Sequence, residues 1–220
     1  MEEMKYTWIL ASNSPRRKEL LSNLMGDIMV LAMDVDETVE PGLPPEKIVE
    51  KLARRKAHAV FDRVYQLGEL IDQDPKNTED EKLMLAKEFV ASKVYSVIGA
   101  DTIVYHDGEV LGKPKDKEDA FRMLKSLSGD THSVFTGVCI LTPKEKLFFH
   151  SETKVTFDDL PDDEIWEYIE TGEPMDKAGA YGIQGAGGTF VTGIEGDYTN
   201  VVGFPIGEFC HLIRTKKLTL

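Results

Sequence analysis

The sequence predicts an α/β protein on three observations. Trp8-Ile9-Leu10-Ala11 is an apolar run that leads through Ser12-Asn13-Ser14-Pro15 into leucines at helical spacing, Leu20, Leu21 and Leu24. Short apolar runs and amphipathic stretches then alternate along the chain without internal repeats. Asp107-Gly108, set between Ile103-Val104-Tyr105 and Glu109-Val110-Leu111, is a hairpin signal.

Each element has a local reason. Ser14 is suited to cap a helix, and Pro15 to begin it, with φ already fixed and no N–H left unsatisfied. Residues 46–66 carry Ile48, Leu52, Ala53, Ala57, Val60 and Phe61 on one helical face. The polar, turn-rich Gln73–Asp80 stretch reads as an exposed loop, followed by a helix from Glu81 to about Lys93. Val94 to Gly99 reads as a strand ending at Ala100-Asp101-Thr102. Asp116–Ser128 turns Ala120, Phe121, Leu124 and Leu127 inward as a helix. Ser133–Leu141 and Leu147–Phe157 read as strands paired around Pro143–Lys146. A short helix over Asp162–Ile169, an irregular glycine-rich stretch from Gly179 to Gly196 and a helix over Pro205–Arg214 complete the reading.

Composition narrows the class of function. A chain of 220 residues, 41% apolar and 30% charged, has the makeup of a soluble globular protein and is long enough for a full core. No apolar run approaches the ~20 residues that cross a bilayer, and Met1–Lys5 lacks the pattern of a signal peptide. Cys139 and Cys210, the two cysteines, sit in apolar surroundings and read as buried thiols rather than a disulfide. A cytoplasmic protein with no membrane partner is the expectation. The net charge of −13 speaks against a nucleic-acid partner, which needs a basic face to displace counterions. It leaves room for a small phosphorylated ligand held by a local cluster of cations.

Several residues stand where chemistry is done. Arg16 and Arg17 occupy the first turn of the first helix, the wrong end for cations in the helix dipole. They are either solvated surface arginines or positive charge placed beside free N–H groups to meet phosphate. Asp101 and Thr102 are either a polar strand end or a ligand-facing pair, because α/β proteins place sites at strand ends. Lys113, in the Gly112-Lys113-Pro114 turn, reads equally as solvated or as ligand-facing. Glu37 lies in Asp34-Val35-Asp36-Glu37, which is either solvated acid or a ligand for a hard cation. The five histidines show no metal-ligand spacing, and no G-x-S-x-G hydrolase motif occurs. Gly108 to Gly112 fails as a P-loop, enclosing three residues where that motif has four, with Pro114 replacing its Ser or Thr.

Taken together, these segments resemble the Maf, or septum-formation, family of nucleoside triphosphate pyrophosphatases. Leu10-Ala11-Ser12-Asn13-Ser14-Pro15-Arg16-Arg17-Lys18-Glu19-Leu20-Leu21 resembles the family's N-terminal signature, and Gly99-Ala100-Asp101-Thr102-Ile103-Val104 with Gly112-Lys113-Pro114 its central one. Thr136-Gly137-Val138 sits where the family has a matching strand. The strongest likeness runs from Thr171-Gly172-Glu173-Pro174-Met175-Asp176-Lys177-Ala178-Gly179 through Gln184-Gly185, and continues in Gly196-Asp197-Tyr198-Thr199-Asn200-Val201-Val202-Gly203. The blocks keep the family's order over most of the chain. The resemblance implies a single domain over residues 1–220, with an elongated mixed sheet, flanking helices and two lobes around a nucleotide cleft. Within about 62–93 the chain is longer than is usual for the family, so an insertion is expected there.

The resemblance also implies an activity: hydrolysis of a nucleoside triphosphate to the monophosphate and pyrophosphate with Mg²⁺ or Mn²⁺, by an enzyme often found as a homodimer. Arg16, Thr102 and Gln184 match the markers of the branch acting on dTTP and UTP, with CTP or modified pyrimidine nucleotides as further candidates. In this picture Asp101 is the general base, a metal ligand or both, and Glu37 helps to hold the metal. Ser12, Arg16, Arg17, Lys56 and Lys113 bind the triphosphate. A pyrophosphatase for non-standard purines such as ITP or XTP, and a nucleotide-binding regulator of cell division with little turnover, are the competing readings.

Overall fold

The computed structural model describes residues 7–73, 95–216 and 218. The chain enters along β1 (Thr7–Leu10), turns into α1 (Pro15–Met25), passes through the short β2 (Met29–Val30) and runs out along the long helix α2 (Pro45–Gln73). A hairpin of β3 (Tyr95–His106) and β4 (Glu109–Leu111) leads to α3 (Lys117–Leu127). A second hairpin, β5 (Thr131–Leu141) and β6 (Lys146–Phe157), leads to α4 (Asp162–Glu170). Three short 3-10 turns between Glu173 and Phe190 precede β7 (Val191–Glu195), α5 (Tyr198–Val202) and α6 (Ile206–Lys216).

The strands form one mixed sheet in the order β2-β1-β3-β5-β6-β7, with β4 also on β3. β1 runs parallel to β2 and β3, and the remaining pairs are antiparallel. β3, β5 and β6 are long enough to serve two lobes. In one, α2 covers Ile9, Val97, Cys139 and Leu141 on one face, while α1 and α6 cover Trp8, Leu10, Ile98 and Ile140 on the other. In the second, α3 and α4 close over Val104, Leu111, Val134, Val155 and Phe157. Phe121 of α3 stacks on Trp166 of α4 at 4.8 Å. The expected mixed sheet, flanking helices and two lobes are therefore present.

The local signals act as expected at both hairpins and at α1. Asp107 and Gly108 both take positive φ, 47° and 83°, which gives the tight turn the twist that its strands require. Ser14 caps α1, its Oγ accepting from the Arg17 N–H, and Pro15 is the first helical residue. Thr142 organises the β5–β6 turn, its Oγ1 accepting from the N–H groups of Lys144 and Glu145.

Several expectations need correction. β3 does not end at Thr102 but continues unbroken to His106, because β5 pairs with it from Val97 to Tyr105. Asp101 is consequently a mid-strand residue. α2 runs past 66 to Gln73, so Gln73 ends a helix rather than opening a loop. The remainder of the expected loop and the expected helix from Glu81 lie outside the described residues. The stretch from Gly179 to Gly196 is less irregular than its glycines suggest, since Val191–Glu195 pairs with β6 as an edge strand.

Candidate active site

The neighbour of β3 changes along its length, and the change opens the site. β1 pairs with β3 only as far as Ile98, and β4 begins its pairing at Val104. Between these points β3 has β5 on one side and an opening on the other. A cleft of about 1210 Å³ lies there between the lobes. Ser12, Arg16, Arg17, Glu37, Lys56, Asp101, Thr102, Lys113 and Gln184, every site residue expected from the sequence, line it.

Alternation along β3 sends Asp101 and Thr102 to opposite faces of the sheet. Asp101 faces α2. Gly99, two residues earlier on the same face, lets that helix come close: a Cβ there would lie 2.4 Å from the Ala53 carbonyl oxygen and 2.6 Å from the Ala57 nitrogen. This approach brings Lys56 down onto the Asp101 carboxylate, and its ammonium hydrogen-bonds Oδ1. The same ammonium lies 2.7 Å from Glu37 Oε1. One cation is thus shared by a buried carboxylate and an exposed one. Burial raises the Asp101 carboxyl above its ordinary range, against the pull of Lys56 and Arg17. Glu37 shifts down, chiefly through its hydrogen bond to Lys56 and with help from Lys113.

Thr102 belongs to the opposite face, where Arg17 is fastened. Arg17 Nε donates to the Gly203 carbonyl at 2.9 Å, one terminal nitrogen to Ser12 Oγ at 3.1 Å and the other to Thr102 Oγ1 at 2.9 Å. Thr102 Oγ1 also contacts Thr136 Oγ1 at 2.9 Å, and Thr136 in turn donates to the Asn200 carbonyl. Asn200 is fully buried, its amide donating to the Val134 carbonyl and to Thr153 Oγ1. A chain of hydrogen bonds therefore runs from α5 across one face of the sheet to Arg17. Burial lowers the pKa of that guanidinium, opposed by Asp101, yet an arginine stays charged. Arg16 is freer, with Asp176 Oδ2 at 3.8 Å across the cleft.

The second lobe supplies Lys113 and the Gln184 loop. The turn bearing Lys113 is tied down through the Gly112 carbonyl, which accepts from the Gly179 N–H at 3.1 Å. Gln184 is exposed toward the cleft. The structure adds residues to which the sequence reading assigned no role. Glu173, Asp176 and Lys177 also line the cleft, and Gly203 and Thr136 act through Arg17 and Thr102. Glu173 and Gly203 lie in the quoted sequence blocks, but a lone carboxylate or glycine there gives no sign of its partner.

Chemically, the cleft gathers the cations Arg16, Arg17, Lys56, Lys113 and Lys177 together with the carboxylates Asp34, Glu37, Asp101, Glu173 and Asp176. The start of α1, Ser14 to Arg17, lines the same space, and clustered cations beside a helix start suit a polyphosphate. Among the described residues, no group of three or more His, Cys, Asp or Glu side chains could hold a metal alone. Asp101 and Glu37 do converge on one cationic point, and a hard divalent ion commonly takes one or two carboxylates plus substrate phosphates. The donor set fits such an ion. No described helix is long and apolar enough to cross a membrane.

Several known proteins are similar to this chain. A protein of Geobacillus sp. (strain WCH70) named dTTP/UTP pyrophosphatase is 46% identical over 200 residues, 91% of this chain and 92% of its own. A protein of the same name from Thermococcus kodakarensis is 46% identical over 198 residues, 90% of each chain. Another, from Bacillus cytotoxicus, is 44% identical over 210 residues, 96% of this chain and 94% of its own. Among solved structures, the Staphylococcus aureus Ham1 protein aligns at 15% identity and a TM-score of 0.44 over 70% of this chain and 72% of that one. The family model described as Maf-like protein matches residues 7–216, which takes in every residue of the cleft, and the chain belongs to the Maf family.

Proposed function

We propose that this protein hydrolyses dTTP and UTP to the monophosphate and pyrophosphate, and that Asp101 accepts the proton of the attacking water. The observation that carries the mechanism is a buried carboxylate at the floor of a cleft ringed by Arg16, Arg17, Lys56 and Lys113. Water attacks the α-phosphorus and its proton passes to Asp101. The bond from the α-phosphorus to the bridging oxygen breaks, and pyrophosphate leaves with the bonding electrons. The raised pKa of Asp101 suits this role, since a stronger base takes the proton more readily. Arg16, Arg17, Lys113 and the start of α1 with Ser12 hold the phosphates and oppose the charge that builds on the leaving group.

Glu37 and Asp101 are the residues that would hold Mg²⁺ or Mn²⁺, which when bound supplies charge neutralisation at the phosphate oxygens. Lys56, shared by those carboxylates here, would then be free to bind the triphosphate. Gln184 reads the base, its amide offering both a donor and an acceptor to the O4 and N3–H edge of thymine or uracil. Thr102 contributes by holding Arg17, because its hydroxyl already serves Arg17 and Thr136.

The test is pyrophosphate and monophosphate release from a panel of nucleoside triphosphates, with Mg²⁺, Mn²⁺ or excess chelator. Metal-dependent turnover of dTTP and UTP, with CTP or modified pyrimidines beside them, is expected. Turnover confined to ITP, XTP or other purines overturns the base assignment. Tight dTTP binding without pyrophosphate release would make the protein a nucleotide-binding regulator instead.

A further inference from the structure

The loop that carries Gln184 contains Gly182, Gly185, Gly187 and Gly188, and little regular structure holds it. What holds it is a carboxylate. Glu173 Oε2 accepts from the Ala186 N–H at 3.0 Å, and Oε1 accepts from the Gly187 N–H at 3.4 Å. The Tyr168 hydroxyl donates to the same Oε1 at 2.9 Å and accepts from the Gly182 N–H at 3.1 Å. The loop lies flush on this platform. A Cβ at Gly185 would sit 2.3 Å from Glu173 Oε1, one at Gly187 2.6 Å from the Tyr168 hydroxyl, and one at Gly182 2.6 Å from Lys177 Cε. Lys177 locks the base of the platform, its ammonium donating to the Glu173 carbonyl at 2.8 Å.

From this geometry we infer that Glu173 is a positioning residue for base selection, fixing the loop so that Gln184 presents its amide to the pyrimidine. The inference rests on the base-reading role proposed for Gln184 and extends it. Glu173 suits the task because an ionised carboxylate only accepts, and everything it meets here donates. In Glu173→Gln one oxygen is replaced by an NH₂ group, which opposes a donor to a donor on one side of the loop. The consequence should fall on the base and spare the phosphates, since Arg16, Arg17, Lys56 and Lys113 belong to other elements and Lys177 is bonded to the Glu173 main-chain carbonyl, which the substitution keeps.

The experiment measures binding of dTMP and of pyrophosphate, with steady-state kinetics on dTTP and a purine triphosphate. It compares wild type, Glu173→Gln, Tyr168→Phe and Gln184→Ala. Glu173→Gln is expected to weaken dTMP by about tenfold, the loss of a single polar contact of about 1.4 kcal/mol. Pyrophosphate affinity should change less than about twofold, and KM for dTTP should rise with little change in kcat. Tyr168→Phe, which keeps its ring in the core, should act in the same direction more weakly and decides the matter if Glu173→Gln does not fold. Equal loss of dTMP and pyrophosphate binding would mark Glu173 as merely structural and overturn the inference. A base preference moved by Gln184→Ala but by neither platform variant overturns this inference alone. A preference unmoved by Gln184→Ala overturns the base-reading assignment, and this inference with it.

Discussion

Two adjacent arginines show how differently neighbours in sequence are used. Arg17 is held by Gly203, Ser12 and Thr102, whereas among the described residues Arg16 meets Asp176 at 3.8 Å. Arg17→Lys keeps the charge but loses the planar fork that reaches three partners at once. It should lower kcat/KM by about tenfold or more and also lower the melting temperature, because an anchor between two segments is lost. Arg16→Ala should raise KM and leave the melting temperature nearly unchanged. Melting curves beside steady-state kinetics separate the two, and identical behaviour would contradict the distinction. At Asp101 the sign of the pH effect follows from burial. In the proposed mechanism the deprotonated form is the base, its pKa is raised, and activity should climb as pH rises through a midpoint above an aspartate's ordinary 3.8. An acid limb of kcat/KM at or below that value would contradict the assignment. That these residues share a cleft was legible from their motifs. That Arg17 and Thr102 spend their polar groups on each other was not, because the partners lie far apart in the chain.

At the scale of elements, helix α2 rests on two glycines. Beside Gly99, a Cβ at Gly137 would lie 2.6 Å from the Val49 carbonyl oxygen. Gly99→Ala must push the helix backbone away from the sheet and lift Lys56 from Asp101. A loss of about 1–3 kcal/mol in denaturant unfolding is expected, together with weaker turnover. Unchanged stability would mean that the helix is not so closely seated. The helices and hairpins were readable from the sequence because caps, periodicity and Asp107-Gly108 act locally. The full length of β3 was not. A polar Asp101-Thr102 pair reads as the end of an apolar run, and only pairing with β5, a later segment, carries the strand through it. The strand end sought for the site does exist, but on β1, which stops beside Ile98 and leaves Asp101 open to the cleft.

At the scale of the whole molecule, the second lobe carries its own acid sensitivity. His132 is buried, lies 2.8 Å from the Tyr181 hydroxyl through Nε2, and its pKa is lowered by burial to about 3. The unfolded chain takes up that proton near pH 6.5 while the folded one does not. His132's contribution is therefore intact above pH 6.5 and is lost as pH falls toward 3. His132→Gln, which cannot titrate, should flatten this dependence. Between pH 7 and 5, denaturant unfolding should show the wild type losing about 2 kcal/mol more than the variant, and parallel losses would contradict the account. Tyr181 lines the cleft, so this lobe's integrity bears on the site as well. The central claim is that one buried carboxylate turns a polyphosphate-binding cleft into a hydrolase. It is tested most directly by pyrophosphate release from dTTP with Mg²⁺, comparing wild type with Asp101→Asn shown to be folded. A fall in kcat of about 10²–10⁴ is predicted, and near-normal turnover in the folded variant would contradict it.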